Sequence, residues 1–155
     1  MIIFLDIDGV LNTKKEWNKP FTLNKNCLHA FNNALTECAQ RDSIRIILIS
    51  SWRIGFSQYE DRCAKYISEL NHSLPSNIKI WGKTKELNNR SEEILDYITS
   101  HKFNIHKCII IDDDKSLYPS LPKEINTLWI NPNEGFSKES AYRLIKYEVK
   151  CNDLS

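Results

Sequence analysis

Ile2-Ile3-Phe4-Leu5-Asp6-Ile7-Asp8-Gly9 opens the chain with four apolar residues, two carboxylates on either side of an isoleucine, and a glycine. A run this short and this β-branched predicts a strand buried on both faces, and Gly9 permits a tight turn straight after it. The same arrangement recurs downstream. Ile44 to Ile49, broken only by Arg45, runs into Ser50-Ser51-Trp52-Arg53, and Cys108 to Ile111 runs into Asp112-Asp113-Asp114. Ile78 to Trp81, closed by Gly82, and Thr127 to Ile130 complete a set of five predicted strands.

Between the strands the apolar period changes from two to three and four. Cys27, Leu28, Phe31, Ala34, Leu35 and Cys38 mark one amphipathic helix, and Tyr59, Cys63, Tyr66, Ile67 and Leu70 a second. Ile94, Leu95 and Ile98 define a third, entered through Asn89 or Ser91, and Ala141, Leu144 and Ile145 a fourth, capped by Ser137. Strands alternating with helices predict an α/β fold: a three-layer sandwich around a central, mainly parallel five-stranded sheet. With 155 residues, no internal repeat and no linker tract, residues 1–155 read as one domain. Segments 12 to 25 and 82 to 90 are polar and long enough to serve as functional loops.

Composition removes several function classes. A hydrophobic share of 41% with 26% charged residues is a globular balance, which disfavours disorder and fibrous folds. No apolar run approaches the ~18 residues of a membrane span, and no basic region precedes the first apolar run as in a signal peptide. A soluble, cytoplasmic protein is the expectation. The formal charge of +1 argues against a protein that coats nucleic acid, while leaving room for a local basic patch. Five scattered cysteines, Cys27, Cys38, Cys63, Cys108 and Cys151, read as free thiols, and the histidines lack zinc-ligand spacing.

In a parallel α/β sheet, ligands bind beyond the carboxyl ends of the strands. Asp6 and Asp8, Ser50 and Ser51 with Arg53, and Asp112, Asp113 and Asp114 therefore fall on one rim if their strands are neighbours. Carboxylates gathered there repel one another unless a cation sits between them. Oxygen-only ligands favour a hard ion, and Mg²⁺ suits a few carboxylates plus a phosphate oxygen. The hydroxyls of Ser50 and Ser51 suit the other phosphate oxygens, and Arg90, or Lys83 or Lys85 in the preceding loop, supplies charge opposite the metal. Arg53 pairs with a carboxylate or touches substrate. Trp17 and Trp52 are packing residues or stacking platforms, and Lys14, Lys15 and Lys19 a solvated face or a phosphate guide, with packing and solvation the preferred readings.

These motifs, in this order and spacing, resemble the haloacid dehalogenase-like phosphohydrolase (HAD) superfamily. Ile2 to Leu11 corresponds to its first motif, Ile46-Ile47-Leu48-Ile49-Ser50 to its second and Ile109-Ile110-Ile111-Asp112-Asp113 to its fourth. Arg90 best fits the basic third motif, with Lys83 the substitute. The resemblance implies the strand order five-four-one-two-three and a Mg²⁺-dependent phosphomonoesterase. It makes Asp6 the nucleophile, through an aspartyl-phosphate, and Asp8 the general acid and then base. Ser50 binds the phosphoryl group. Asp6, the backbone carbonyl of Asp8, and Asp113 with or without Asp112 hold Mg²⁺, leaving Asp114 as a spare carboxylate or a helix cap.

The short spans from Leu11 to Ile44 and from Arg53 to Arg90 imply a capless or minimally capped member. Within the superfamily, Asp6 to Asn12, Ser50-Ser51-Trp52-Arg53, Arg90-Ser91-Glu92-Glu93-Ile94 and the three aspartates look like small proteins related to the phosphatase domain of RNA-repair (Swiss Army Knife) proteins. That likeness implies a substrate with a terminal, 3′ phosphate on RNA or DNA. A nucleotide or other small phosphoester is the alternative, and a non-catalytic module that binds phosphorylated ends is the alternative of a different kind. No obligate protein partner and no membrane are expected.

Overall fold

The computed structural model describes residues 1–57 and 59–153, without the side chains of residues 60 and 151–153. The five strands are β1 (Ile2–Leu5), β2 (Arg45–Leu48), β3 (Ile80–Lys83), β4 (Cys108–Asp112) and β5 (Asn126–Trp129). The helices between and after them are α1 (Lys25–Ala39), α2 (Lys65–Ser73), α3 (Arg90–His101) and α4 (Lys138–Asp153). The sheet order is β3-β2-β1-β4-β5 and every pairing is parallel. β1 lies at the centre, with Leu5 in register with Leu48 on one side and Ile111 on the other.

Alternation along β1 divides the core. Ile3 and Leu5 join the cluster that holds Phe31, Leu35, Ile67 and Leu144, from α1, α2 and α4. Ile2 and Phe4 join Ile94, Tyr97 and Ile98 of α3 on the opposite face. Each strand residue thus loses its water to one layer or the other, which is why the run carries no polar residue before Asp6. The chain between β1 and α1 contains only a 3-10 turn, Lys14–Glu16, and the chain from β2 to β3 contains two such turns and α2. No inserted cap domain interrupts the described residues.

Two elements depart from the sequence pattern. The second helix begins at Lys65, while Tyr59 and Cys63 lie ahead of it around a 3-10 turn, with Tyr59 63% exposed. Ala64 offers no side-chain cap, so apolar spacing upstream of it does not extend the helix. β3 lies two residues later than the apolar run suggested, and Trp81, the last residue of that run, faces outward at 45% exposure beside Arg45, whose guanidinium lies 4.7 Å from its ring. Asn89 caps α3 through its side chain, and Ser137 and Ser140 exchange hydrogen bonds at the start of α4, as the sequence predicts. Cys27, Cys38, Cys63 and Cys108 are free thiols, and the side chain of Cys151 lies outside the described residues.

Candidate active site

β1, β2 and β4 are adjacent, so their carboxyl ends deliver their polar residues to one rim. Asp6 leaves β1 with its N–H donating to the Ile111 carbonyl at 2.9 Å, which keeps it locked between strands one residue past β1. Beyond Ile7 the backbone turns: Val10 N–H donates to Ile7 O at 3.0 Å, and Gly9 takes a φ of 84°. A side chain at Gly9 has no room, because its Cβ falls 2.4 Å from Asp113 Oδ2. Glycine here lets the turn after β1 close against the acidic end of β4.

Asp6, Asp112 and Asp113 each place a carboxylate oxygen within 4.8 Å of the others. Asp6 is only 5% exposed, and burial, reinforced by the charge of Asp112, holds its carboxyl well above the ordinary carboxylate range. Burial likewise pushes Asp113 up to about 6, with a further contribution from Asp112. A hard cation bound among these oxygens relieves both effects, and the donor set is the kind Mg²⁺ takes.

The counter-charge within the protein is Arg90, the first residue of α3. Its Nη1 lies 2.5 Å from Asp112 Oδ2 and 3.6 Å from Asp6 Oδ1. Burial alone disfavours the charged guanidinium, but Asp6 and Asp112 outweigh it and hold its pKa above the ordinary arginine value. Both oxygens of Asp112 accept hydrogen bonds from the protein. Oδ2 accepts from Arg90 and from the buried Tyr118 hydroxyl, and Oδ1 accepts from Asp114 N–H at 3.1 Å. Burial and the Asp112 charge keep that phenol protonated far above its usual range.

Asp8 is held by neutral donors. Asn12 Nδ2 donates to its Oδ1 at 2.9 Å and the Trp52 indole N–H at 3.3 Å. Asn12, 2% exposed, also accepts from Gly9 N–H at 2.8 Å and from the Trp17 indole at 3.1 Å, so one amide ties the turn, the acid and an aromatic together. Asp6, Asp8, Asp113, Asp114, Ser51, Trp52 and Arg90 all line one cavity of about 450 Å³, together with Glu16, Trp17, Lys19, Pro20, Phe21 and Leu117.

The remaining candidates have protein partners of their own. Ser50, 1% exposed at the end of β2, accepts from Trp52 N–H at 3.1 Å as the cap of the 3-10 turn Ser51–Gly55. Lys83 lies on β3 rather than in the loop after it. Its ammonium donates to the Arg53 carbonyl at 3.2 Å, and together with Lys85 it lines a separate cavity of about 750 Å³. Arg53 is a half-buried tie: it meets the buried Glu93 at 2.7 and 3.3 Å and Thr84 Oγ1 at 2.9 Å. Asp114 caps the 3-10 turn Lys115–Leu117, accepting from Ser116 N–H at 3.0 Å.

The sequence reading named Asn12 and Trp52 without their bonds to Asp8 and did not name Tyr118. Asn12 had a signal, being four residues from Asp8 across a turn. Tyr118, six residues beyond Asp112, had only its proximity to the acidic strand end, and the Trp52 indole bond to Asp8 spans 44 residues with no sequence mark at all.

No curated protein and no solved structure matched the chain. One family model does match, over residues 2–141, and it covers β1 through the first turn of α4 with every residue of the rim. The chain belongs to the family described as the HAD domain in Swiss Army Knife RNA repair proteins.

Proposed function

We propose that the protein is a Mg²⁺-dependent phosphomonoesterase that removes a terminal phosphate, at the 3′ end of RNA or DNA, through an aspartyl-phosphate on Asp6. The observation that carries this reading is the pairing, in one cavity, of two carboxyl groups with different partners. Asp6 is buried against Arg90 and Asp113, and Asp8, two residues on, is oriented by Asn12 and Trp52. Asp6, Asp113 and the backbone carbonyl of Asp8 would hold the ion. Asp112, already bonded on both oxygens, orients Arg90. When bound, Mg²⁺ supplies positive charge that keeps Asp6 ionised and draws charge from the phosphoryl oxygens.

In the first step an Asp6 oxygen forms a bond to phosphorus as the ester oxygen leaves, taking a proton from the Asp8 carboxyl. In the second, water gives a proton to Asp8 and its oxygen bonds to phosphorus. The Asp6–phosphorus bond breaks, releasing inorganic phosphate. Arg90 meets the equatorial charge, and Ser50, which accepts from Trp52 N–H, has its own hydroxyl proton to give to a phosphoryl oxygen. The RNA-repair setting of the family supports a strand end over a small phosphoester. Acid-quenched single turnovers with a ³²P-labelled 3′ end should leave label on the wild-type protein, released by hydroxylamine, and none on Asp6→Asn. Label-free wild type that still releases phosphate would rule out the covalent step.

A further inference from the structure

The carboxylates and Arg90 account for only part of the lining of the 450 Å³ cavity. Glu16, Trp17, Lys19, Pro20 and Phe21 also line it, and a phosphate on a bare sugar has no use for two aromatic rings there. Trp17 is 45% and Phe21 41% exposed, so both leave aromatic surface uncovered beside the carboxylates.

Both rings are also held rigidly. The Trp17 indole N–H is fixed on Asn12 Oδ1 at 3.1 Å. Phe21 has a φ of 56°, a left-handed conformation that a bulky residue adopts only when its surroundings enforce it. Its ring stacks on Tyr66 at 3.8 Å and 9° and meets the Trp52 ring edge at 5.3 Å. The segment carrying them is pinned at several points. Asn12 Nδ2 donates to Thr22 O at 2.8 Å, Lys14 N–H to Pro132 O at 3.0 Å, and Asn24 N–H to Leu11 O at 2.8 Å.

We infer that Trp17 and Phe21 form a preformed seat for the nucleobase that carries the reacting phosphate, with Lys19 beside it for the next phosphate of a strand. The inference rests on the phosphatase reading above for the position of the phosphate. Because every base offers a π-face, the seat takes any base. Trp17, through Asn12, also places the base at the turn that orients Asp8.

The test is equilibrium binding with Mg²⁺ to the Asp6→Asn protein, which holds substrate without turning it over. The ligands are a strand ending in a nucleoside 3′-phosphate, the same strand ending in an abasic 3′-phosphate, and a nucleoside 3′-monophosphate. The nucleoside end should bind about tenfold tighter than the abasic end. Trp17→Ala and Phe21→Ala, each added to Asp6→Asn, should collapse that ratio toward one. Trp17→Phe should keep most of it, although it cannot restore the indole bond to Asn12, which separates stacking from positioning. Lys19→Ala should weaken the strand but not the mononucleotide.

Equal affinity for nucleoside and abasic ends, or a ratio that none of the aromatic variants moves, would overturn the seat. Phosphate release by the wild type, measured in parallel, keeps the two readings apart. No release with an intact base preference defeats the phosphatase alone, and release with no preference defeats the seat alone.

Discussion

Asp6 is a group that folding disfavours. Burial and the neighbouring Asp112 charge raise its pKa, so in the metal-free protein its ionised form is less stable folded than unfolded. A carboxyl group whose folded pKa lies above its unfolded value of ~4 costs stability as pH rises past that value. Asp6→Asn removes the charge while leaving Arg90 its 2.5 Å bond to Asp112. The metal-free variant is therefore expected to melt higher than wild type near neutral pH, by about 2–4 °C for each kcal/mol relieved, while losing phosphate release. Thermal unfolding without metal checks the first half, and a lower melting temperature contradicts it. At this scale the sequence showed which carboxylates gather at the rim, because Asp6, Asp8 and the three later aspartates follow apolar runs. It did not show what orients them, since Trp52 and Tyr118 reach Asp8 and Asp112 through packing that no local pattern encodes.

Among the elements, the 3-10 turn Ser51–Gly55 is fastened to α3 by Arg53 and Glu93, whose side chains are 11% and 6% exposed. Glu93 also accepts from Leu87 N–H at 3.2 Å, so the pair fixes the loop that leads to Arg90. Arg53→Ala strands a buried carboxylate and is expected to cost about 3–5 kcal/mol in urea unfolding. A loss under ~1 kcal/mol, the range of surface pairs, would mean the tie is solvated. At the other end of α3, Lys102 closes the helix at a φ of 54°, with the Phe103 N–H returning to the Ile98 carbonyl at 3.0 Å. Lys102→Gly should stabilise the protein by about 1 kcal/mol, read as a higher denaturation midpoint, because glycine enters that region without steric cost.

The strands were legible as elements because continuous β-branched runs have few alternative uses. β3 was displaced because Trp81 and Lys83 alternate outward on an edge, where an apolar count stops too early. The second helix was overextended because Tyr59 and Cys63 have helical spacing but no helix reaches them. Lys83 was placed near the rim by chain position, and only its register on β3 turns it toward the other cavity.

Across the whole molecule, the parallel order around β1 makes the rim, and the segment between β1 and α1 makes its wall. Glu16 is the clasp of that wall, accepting from Thr13 N–H at 3.0 Å, Thr13 Oγ1 at 2.5 Å and Asn24 Nδ2 at 2.5 Å. The side-chain bonds from Thr13 and then Asn24 hold its pKa below the ordinary 4.5. Its stabilising share is thus complete above 4.5 and is lost as pH falls through the depressed folded value. The stability gap between wild type and Glu16→Gln should be constant at higher pH and shrink only below that point; a gap that widens on acidification would contradict the clasp. The account as a whole rests on Asp6 acting on a phosphorylated strand end. Its most direct test is Mg²⁺-dependent phosphate release from a 3′-phosphorylated RNA oligonucleotide, with wild type and Asp6→Asn side by side. The account predicts release by wild type that EDTA abolishes and none by Asp6→Asn. Equal release by both proteins, or none by the wild type with Mg²⁺, would contradict it.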